Sequence, residues 1–232
     1  NGILLPRMAR DLKDAGLDRV NIHIDTLDEV RIRQVMRFAD VQKIMTGIEA
    51  AEDAGLTPIK LNSVVVRGDN DTDVVELARQ TLTRPWGVRF IELMPMGDGD
   101  ESKLALSRVV SSEETMERIT DSIGPLIPVP ATHPSDESRN YQFSGGIGTV
   151  GFISPVSDPF CSACNRVRLS AEGKLLLCLL RDDEADLRAV IRGGGGVEAV
   201  SHALRQSILL KPVGHALDEG IHASRRMHEI GG

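Results

Sequence analysis

The chain has few aromatic side chains: among its 232 residues are five phenylalanines, one tryptophan and one tyrosine, or 3% of the whole. So few rings leave little to stack against a single-stranded nucleic acid. A net charge of −7 removes the broad positive surface of a general nucleic-acid binder, although it leaves room for a local basic pocket. No apolar run is long enough to span a membrane, and no secretory or transit segment is evident. The expectation is a cytoplasmic protein that engages neither membrane nor nucleic acid. Cysteine is scarce too, with only three in the chain. A disulfide would strand the third thiol, and nothing else points to an oxidising compartment.

What is present is ordinary in bulk. Hydrophobic residues make up 41% and charged residues 26%, and the length suffices to bury a core in one domain or two closely packed parts. The three cysteines carry the information. Cys161, Cys164 and Cys178 follow the spacing C-x2-C-x13-C in the stretch Phe160-Cys-Ser-Ala-Cys-Asn-Arg-Val-Arg-Leu-Ser-Ala-Glu-Gly-Lys-Leu-Leu-Leu-Cys178. Arg166 to Ser170 and Lys174 to Cys178 read as two short strands, and Gly173 supplies the positive φ that a tight turn between them needs. Paired strands lie about 5 Å apart, so Cys178 returns near Cys164. Alternation places Cys164, Arg166 and Arg168 on one face. Thiols with guanidiniums beside them suit a metal or cluster next to a phosphorylated ligand. Three thiolates fit an iron–sulfur cluster with one iron left open, or a zinc with a fourth ligand from elsewhere, and spacing alone does not separate the two.

The segment from Gly151 to Cys178 resembles the second-cluster motif of the GTP 3′,8-cyclases. These are the MoaA family of radical S-adenosylmethionine enzymes that open molybdenum-cofactor synthesis. The likeness runs over nearly the whole chain, from Asn1-Gly2 to the terminal Gly231-Gly232. It implies that Cys161, Cys164 and Cys178 hold a 4Fe–4S cluster whose free iron faces the substrate base. It further implies that Arg166, Val167 and Arg168 line the GTP site and that Lys60 contacts GTP. Met94 falls at a position of the S-adenosylmethionine site. So does His23, in the segment His23-Ile24-Asp25 where the family commonly has Ser-Leu-Asp. Gly231 and Gly232 match a tail that reaches into the active site.

The family's C-x3-C-x2-C motif, which binds the cluster that cleaves S-adenosylmethionine, does not occur in these residues, so the chain resembles the C-terminal two-thirds of such an enzyme. For the full-length enzyme the resemblance implies S-adenosylmethionine and that second 4Fe–4S cluster. The reaction would be radical conversion of GTP to (8S)-3′,8-cyclo-7,8-dihydroguanosine 5′-triphosphate. No residue of this chain is assigned a catalytic role. A homodimer is the assembly expected, and the pathway implies a downstream cyclic pyranopterin monophosphate synthase as a partner. The alternatives are a non-catalytic GTP- or metal-binding derivative and a zinc-knuckle interaction domain.

Helix and strand signals alternate along the first part. Helices are expected over Pro6–Ala15, Val41–Ala54 and Asp73–Leu82, and strands over Val20–Ile24, Ile59–Val66 and Gly87–Met94. Repeated βα units imply a parallel sheet. Asn21, His23 and Asp25 share one strand face, Lys60 and Asn62 another, and Glu92 and Met94 a third with Phe90. A polar stripe of this kind fits an incomplete, TIM-like α/β barrel with a ligand in its mouth. The expected division is 1–110 as the C-terminal part of a radical-SAM barrel and 111–232 as the cluster- and GTP-binding region. Residues 97–111 read as loop and 125–138 as irregular. Ser112–Ile123 reads as a helix capped by Ser112, and further helices fall over Glu184–Ile191 and Val197–Leu210. His215, His222 and His228 read as surface residues.

Overall fold

The computed structural model describes residues 1–37 and 39–230. The chain divides into two units, one of residues 1–93 with 108–157, the other of residues 94–107 with 158–232. The first unit begins α1 (Leu5–Asp14), β1 (Asn21–His23), α2 (Arg31–Val35), α3 (Val41–Asp53), β2 (Lys60–Val65), α4 (Val74–Arg79) and β3 (Gly87–Glu92). Helix α5 (Gly99–Ser107) belongs to the second unit. The first unit resumes with α6 (Ser112–Ile123), β4 (Leu126–Val129), β5 (Arg139–Phe143) and β6 (Thr149–Ile153).

The six strands form one sheet in the order β1-β2-β3-β6-β5-β4. β1, β2, β3 and β6 run parallel, whereas β5 and β4 are antiparallel. The expected parallel α/β sheet is therefore present, with an antiparallel extension. α3 shows why these residues fold locally as they do. The Asp40 side chain accepts from the Lys43 amide at 3.0 Å, capping the helix. Ile44, Ile48 and Ala51 then recur at helical spacing and are fully buried. Under the sheet lie Ile22, Leu61, Val88, Phe90, Val150 and Phe152, one apolar face assembled by register. Trp86 is 1% exposed and donates its ring N–H to Glu52 at 2.7 Å, so burial leaves no orphan donor.

Several expectations are corrected. The stretch 97–111 contains helix α5, whose mixed charges hid it; Asp100 and Glu101 in its first turn complement the helix dipole. Ser111, not Ser112, caps α6, accepting from the Glu114 amide at 3.1 Å. The irregular region carries β4, which tolerates Pro128 because it is the sheet's edge strand.

In the second unit, β7 (Arg168–Leu169), β8 (Lys174–Leu176) and β9 (Glu184–Asp186) make a three-stranded antiparallel sheet. β7 is shorter than the Arg166–Ser170 strand expected, and β9 replaces the expected start of a helix at Glu184. Helices α7 (Leu187–Arg192) and α8 (Val197–Leu209) follow, α7 capped by Asp186 at 2.8 Å from the Ala189 amide. The buried apolar cluster here is Leu175, Leu177 and Leu187, joined by Ala203 and Leu204.

Candidate functional site

The cysteine motif is built from two turns. The Cys161–Ala163 stretch forms a 3₁₀ turn in which the Ala163 amide donates to the Phe160 carbonyl and the Cys164 amide to the Cys161 carbonyl, both at 3.1 Å. The second turn joins β7 to β8, with Gly173 at φ 81°, a conformation that side-chain-bearing residues rarely adopt. Its register pairs Arg168 with Leu176, and pairing stops there. Cys178 lies two residues past the last pair.

All three cysteines are free and half-buried. Partial burial opposes ionisation of Cys164. The Arg166 amide and guanidinium and the Lys211 ammonium outweigh it, holding the thiol below its ordinary range. Burial pushes the Cys178 thiol up, and the nearby Cys161 and Cys164 add to that against Lys211. Lys211 donates its ammonium to the Leu177 carbonyl. The Arg166 Nη2 lies 3.8 Å from the Cys164 Sγ, and its guanidinium lies over the Phe160 ring, 4.7 Å from the centroid. Arg168 donates from Nη1 to the Ile230 carbonyl at 3.1 Å. Val167 between them is exposed.

The donor set suits a soft metal or an iron–sulfur cluster: thiols that sense one another's charge, one of them biased toward thiolate. Among the described residues, no three or more His, Cys, Asp or Glu side chains are gathered as a metal-ion site. His215 and His222, expected at the surface, are half-buried, with Nε2 of the first and Nδ1 of the second buried without a partner. The side chain of His228 and the expected tail residues Gly231 and Gly232 lie outside the described residues.

Met94 also falls in the second unit, half-buried just before α5. The other candidates lie on the sheet of the first unit. Asn21 pairs in register with Lys60, and His23 with Asn62. His23 Nε2 is 2.7 Å from Asp25 Oδ2, and Asp25 is fixed in turn by the Val64 amide at 2.9 Å. Sequence reasoning passed over Arg89. It is in register with Asn62, is only 7% exposed, and donates from Nε to the Asn62 Oδ1 at 2.8 Å and from Nη1 to Glu137 at 3.2 Å. Burial pulls the Arg89 guanidinium below its ordinary value, against the attraction of Glu137. Alternation alone separates Arg89 from Val88 and Phe90, and the register opposite Asn62 puts it on the polar face. Gly151 makes the space, since a Cβ there would meet Ser138 Oγ at 2.3 Å and Arg89 Cγ at 3.1 Å.

Glu92 shares a face with Phe90, as expected; that face is the apolar one, opposite the side of Lys60 and Asn62, and Glu92 is 2% exposed. Its carboxylate accepts from the amides of Ser112 (2.8 Å), Val156 (3.0 Å) and Ser157 (2.8 Å), and from the Ser157 hydroxyl. A buried charge is tolerable when so many donors meet it, so Glu92 is a structural anchor.

The comparisons with known proteins agree on the class first. Residues 1–81 match the Radical SAM superfamily, and residues 86–217 match Molybdenum Cofactor Synthesis C. Curated relatives then narrow the class. The chain is 42% identical over 232 residues to a GTP 3′,8-cyclase of Pelotomaculum thermopropionicum, a match taking in 100% of this chain and 71% of that protein. It is 44% identical over 234 residues to that of Heliobacterium modesticaldum, again covering 100% of this chain and 71% of the relative. The protein of Moorella thermoacetica, at 42%, gives the same coverage. The chain belongs to the GTP 3′,8-cyclase family of radical SAM proteins.

Proposed function

We propose that this chain serves GTP 3′,8-cyclisation in molybdenum-cofactor biosynthesis, with Cys161, Cys164 and Cys178 as the protein ligands of a 4Fe–4S cluster. One observation carries the reading: in a member of this family, free thiols lie at C-x2-C-x13-C spacing, with Arg166 directed at Cys164. Three protein thiolates leave one iron open to a substrate atom. When bound, S-adenosylmethionine with its own cluster would supply the hydrogen-abstracting radical. The chain's own residues bind and orient GTP and keep water away.

Within that reading, Arg166, Val167 and Arg168 contact GTP, and the two guanidiniums meet its negative charge. Lys60 is a further GTP cation, presented on the sheet of the first unit beside Asn21. His23 and Met94 contact S-adenosylmethionine, the His23 ring being oriented by Asp25. Gly231 and Gly232 act as the active-site tail. The sheet is read as part of an incomplete TIM-like barrel, with 1–110 as the barrel portion and 111–232 as the cluster and GTP region. A cytoplasmic homodimer supplying a cyclic pyranopterin monophosphate synthase completes the proposal. No described helix is long and apolar enough to cross a membrane.

The test is anaerobic reconstitution followed by metal analysis, GTP calorimetry and assay of the cyclised nucleotide with S-adenosylmethionine and a reductant. Iron and sulfide in cluster ratio, with GTP binding, are expected. One zinc per chain and no iron would overturn the cluster assignment and favour a zinc knuckle.

A further inference from the structure

We infer that Phe160 is a positioning residue for Arg166, acting through its ring to fix the guanidinium that faces the nucleotide. The inference rests on the reading of Arg166 as a GTP contact. Arg166 is an exposed side chain with many rotamers, on a segment without regular structure between the 3₁₀ turn and β7. An exposed arginine gives a directed contact only if something restricts it, because holding a free one in place costs rotamer entropy. The Phe160 ring is one of the contacts that restrict Arg166. The guanidinium lies over it, 4.7 Å from the centroid, and the Nη2 end is turned to the Cys164 Sγ at 3.8 Å. A cation over a ring face is drawn in by the ring's quadrupole. The guanidinium is thus drawn to the ring, with one end at the thiol.

The backbone and side chain of Phe160 have separate tasks. Its carbonyl accepts the Ala163 amide at 3.1 Å and starts the turn that places Cys161 and Cys164. Any residue at this position keeps that carbonyl, so changing the ring tests the stack while leaving the thiol turn in place. In a chain with only five phenylalanines, one is spent half-buried beside the motif. The two neighbouring arginines make different contacts: the Arg166 guanidinium lies over the Phe160 ring, and Arg168 donates to the Ile230 carbonyl.

The experiment is GTP calorimetry and iron analysis on anaerobically reconstituted protein carrying Phe160→Leu, Phe160→Tyr, Arg166→Ala and the Phe160→Leu/Arg166→Ala pair. A stack of this kind supports a loss of about threefold to fivefold in GTP affinity for Phe160→Leu. Iron content should be unchanged, and Phe160→Tyr should restore affinity. The leucine change should add nothing in the Arg166→Ala background, because the ring acts through that arginine. Unaltered affinity in Phe160→Leu, with Arg166→Ala weakened, would overturn the inference and leave the Arg166 reading standing. Additive losses would overturn it likewise. So would loss of iron in Phe160→Leu, since the ring would then be holding the thiol turn. Unaltered affinity in Arg166→Ala would instead remove the GTP contact itself.

Discussion

The two units of this chain hold their polar groups by different means. In the first, a six-stranded sheet sets each side chain by register, and a neighbouring strand satisfies it, as Asn62 does for Arg89. Beneath it, Ile22, Ile44, Ile48, Leu61, Val88, Phe90 and Phe152 are 2% exposed or less. In the second, strands run two or three residues, and the buried apolar cluster is Leu175, Leu177 and Leu187. There the informative side chains are held by turns, a ring and single carbonyls. The contrast teaches that the second unit gains more from a bound group. A small core is stapled by ligands that bind only its folded form, and three free, half-buried cysteines lie in this unit as the proposed ligands.

The sharpest way to break this comparison is to remove the proposed cluster ligands. Alanine at Cys161, Cys164 or Cys178 should eliminate that cluster, a loss of about four irons per chain, and hydrogen exchange should quicken in the second unit while the sheet stays protected. Unchanged iron content would end the assignment. Next in size, Glu92→Ala should destabilise the first unit by about 3 kcal/mol, because three backbone amides lose a buried acceptor. Urea unfolding measures it, and a loss under about 1 kcal/mol would mean that water takes over the carboxylate's place. Arg166→Ala and Arg168→Ala should each weaken GTP binding about tenfold with iron retained. Equal affinity by calorimetry would remove either residue from the site.

The smallest expected effect is a response to acid. Glu184 is held below the usual carboxylate range chiefly by Arg225, against its own desolvation, with Lys174 adding to the pull. Glu114 in the first unit is lowered in the same way, by Arg67 first. A depressed folded-state pKa means stability that is complete above the ordinary value near about 4.3 and is lost as pH falls through the folded one. Both units should therefore loosen below about pH 4.3, the second before the first. Segment-resolved hydrogen exchange would show the order, and simultaneous loss would erase the distinction.

Much of the sheet was legible in the sequence. β2 reads as a β-branched run and α3 as a helix stopped by Gly55, and their extents agree with the structure to within a residue or so. The hairpin turn was legible because Gly173 offers a conformation few residues adopt. What escaped notice depended on tertiary context. β4 contains Pro128, which argues against a strand until its edge position is known. α5 lacks a clear apolar stripe. Glu92 and Arg89 are three residues apart on one strand and face opposite ways: alternation pairs Glu92 with Phe90, whereas the place of Arg89 beside Asn62 is set by the strand register. The family was legible from the cysteine spacing and its flanks, whereas the stack of Arg166 on Phe160 and the Arg168–Ile230 contact required coordinates.

Glu92 also has a bearing on how the fold is reached. Its partners lie 20, 64 and 65 residues away along the chain, so its bonds cannot close until α6 and β6 have docked. Strand β6 could slide two residues along β3 and keep its side chains on the proper faces. Such a slip would leave a carboxylate sealed in the interior without its amides, which is far costlier than a misplaced valine. The buried acid thus acts as a proofreader of strand register, rejecting near-misses that hydrophobic burial alone would accept.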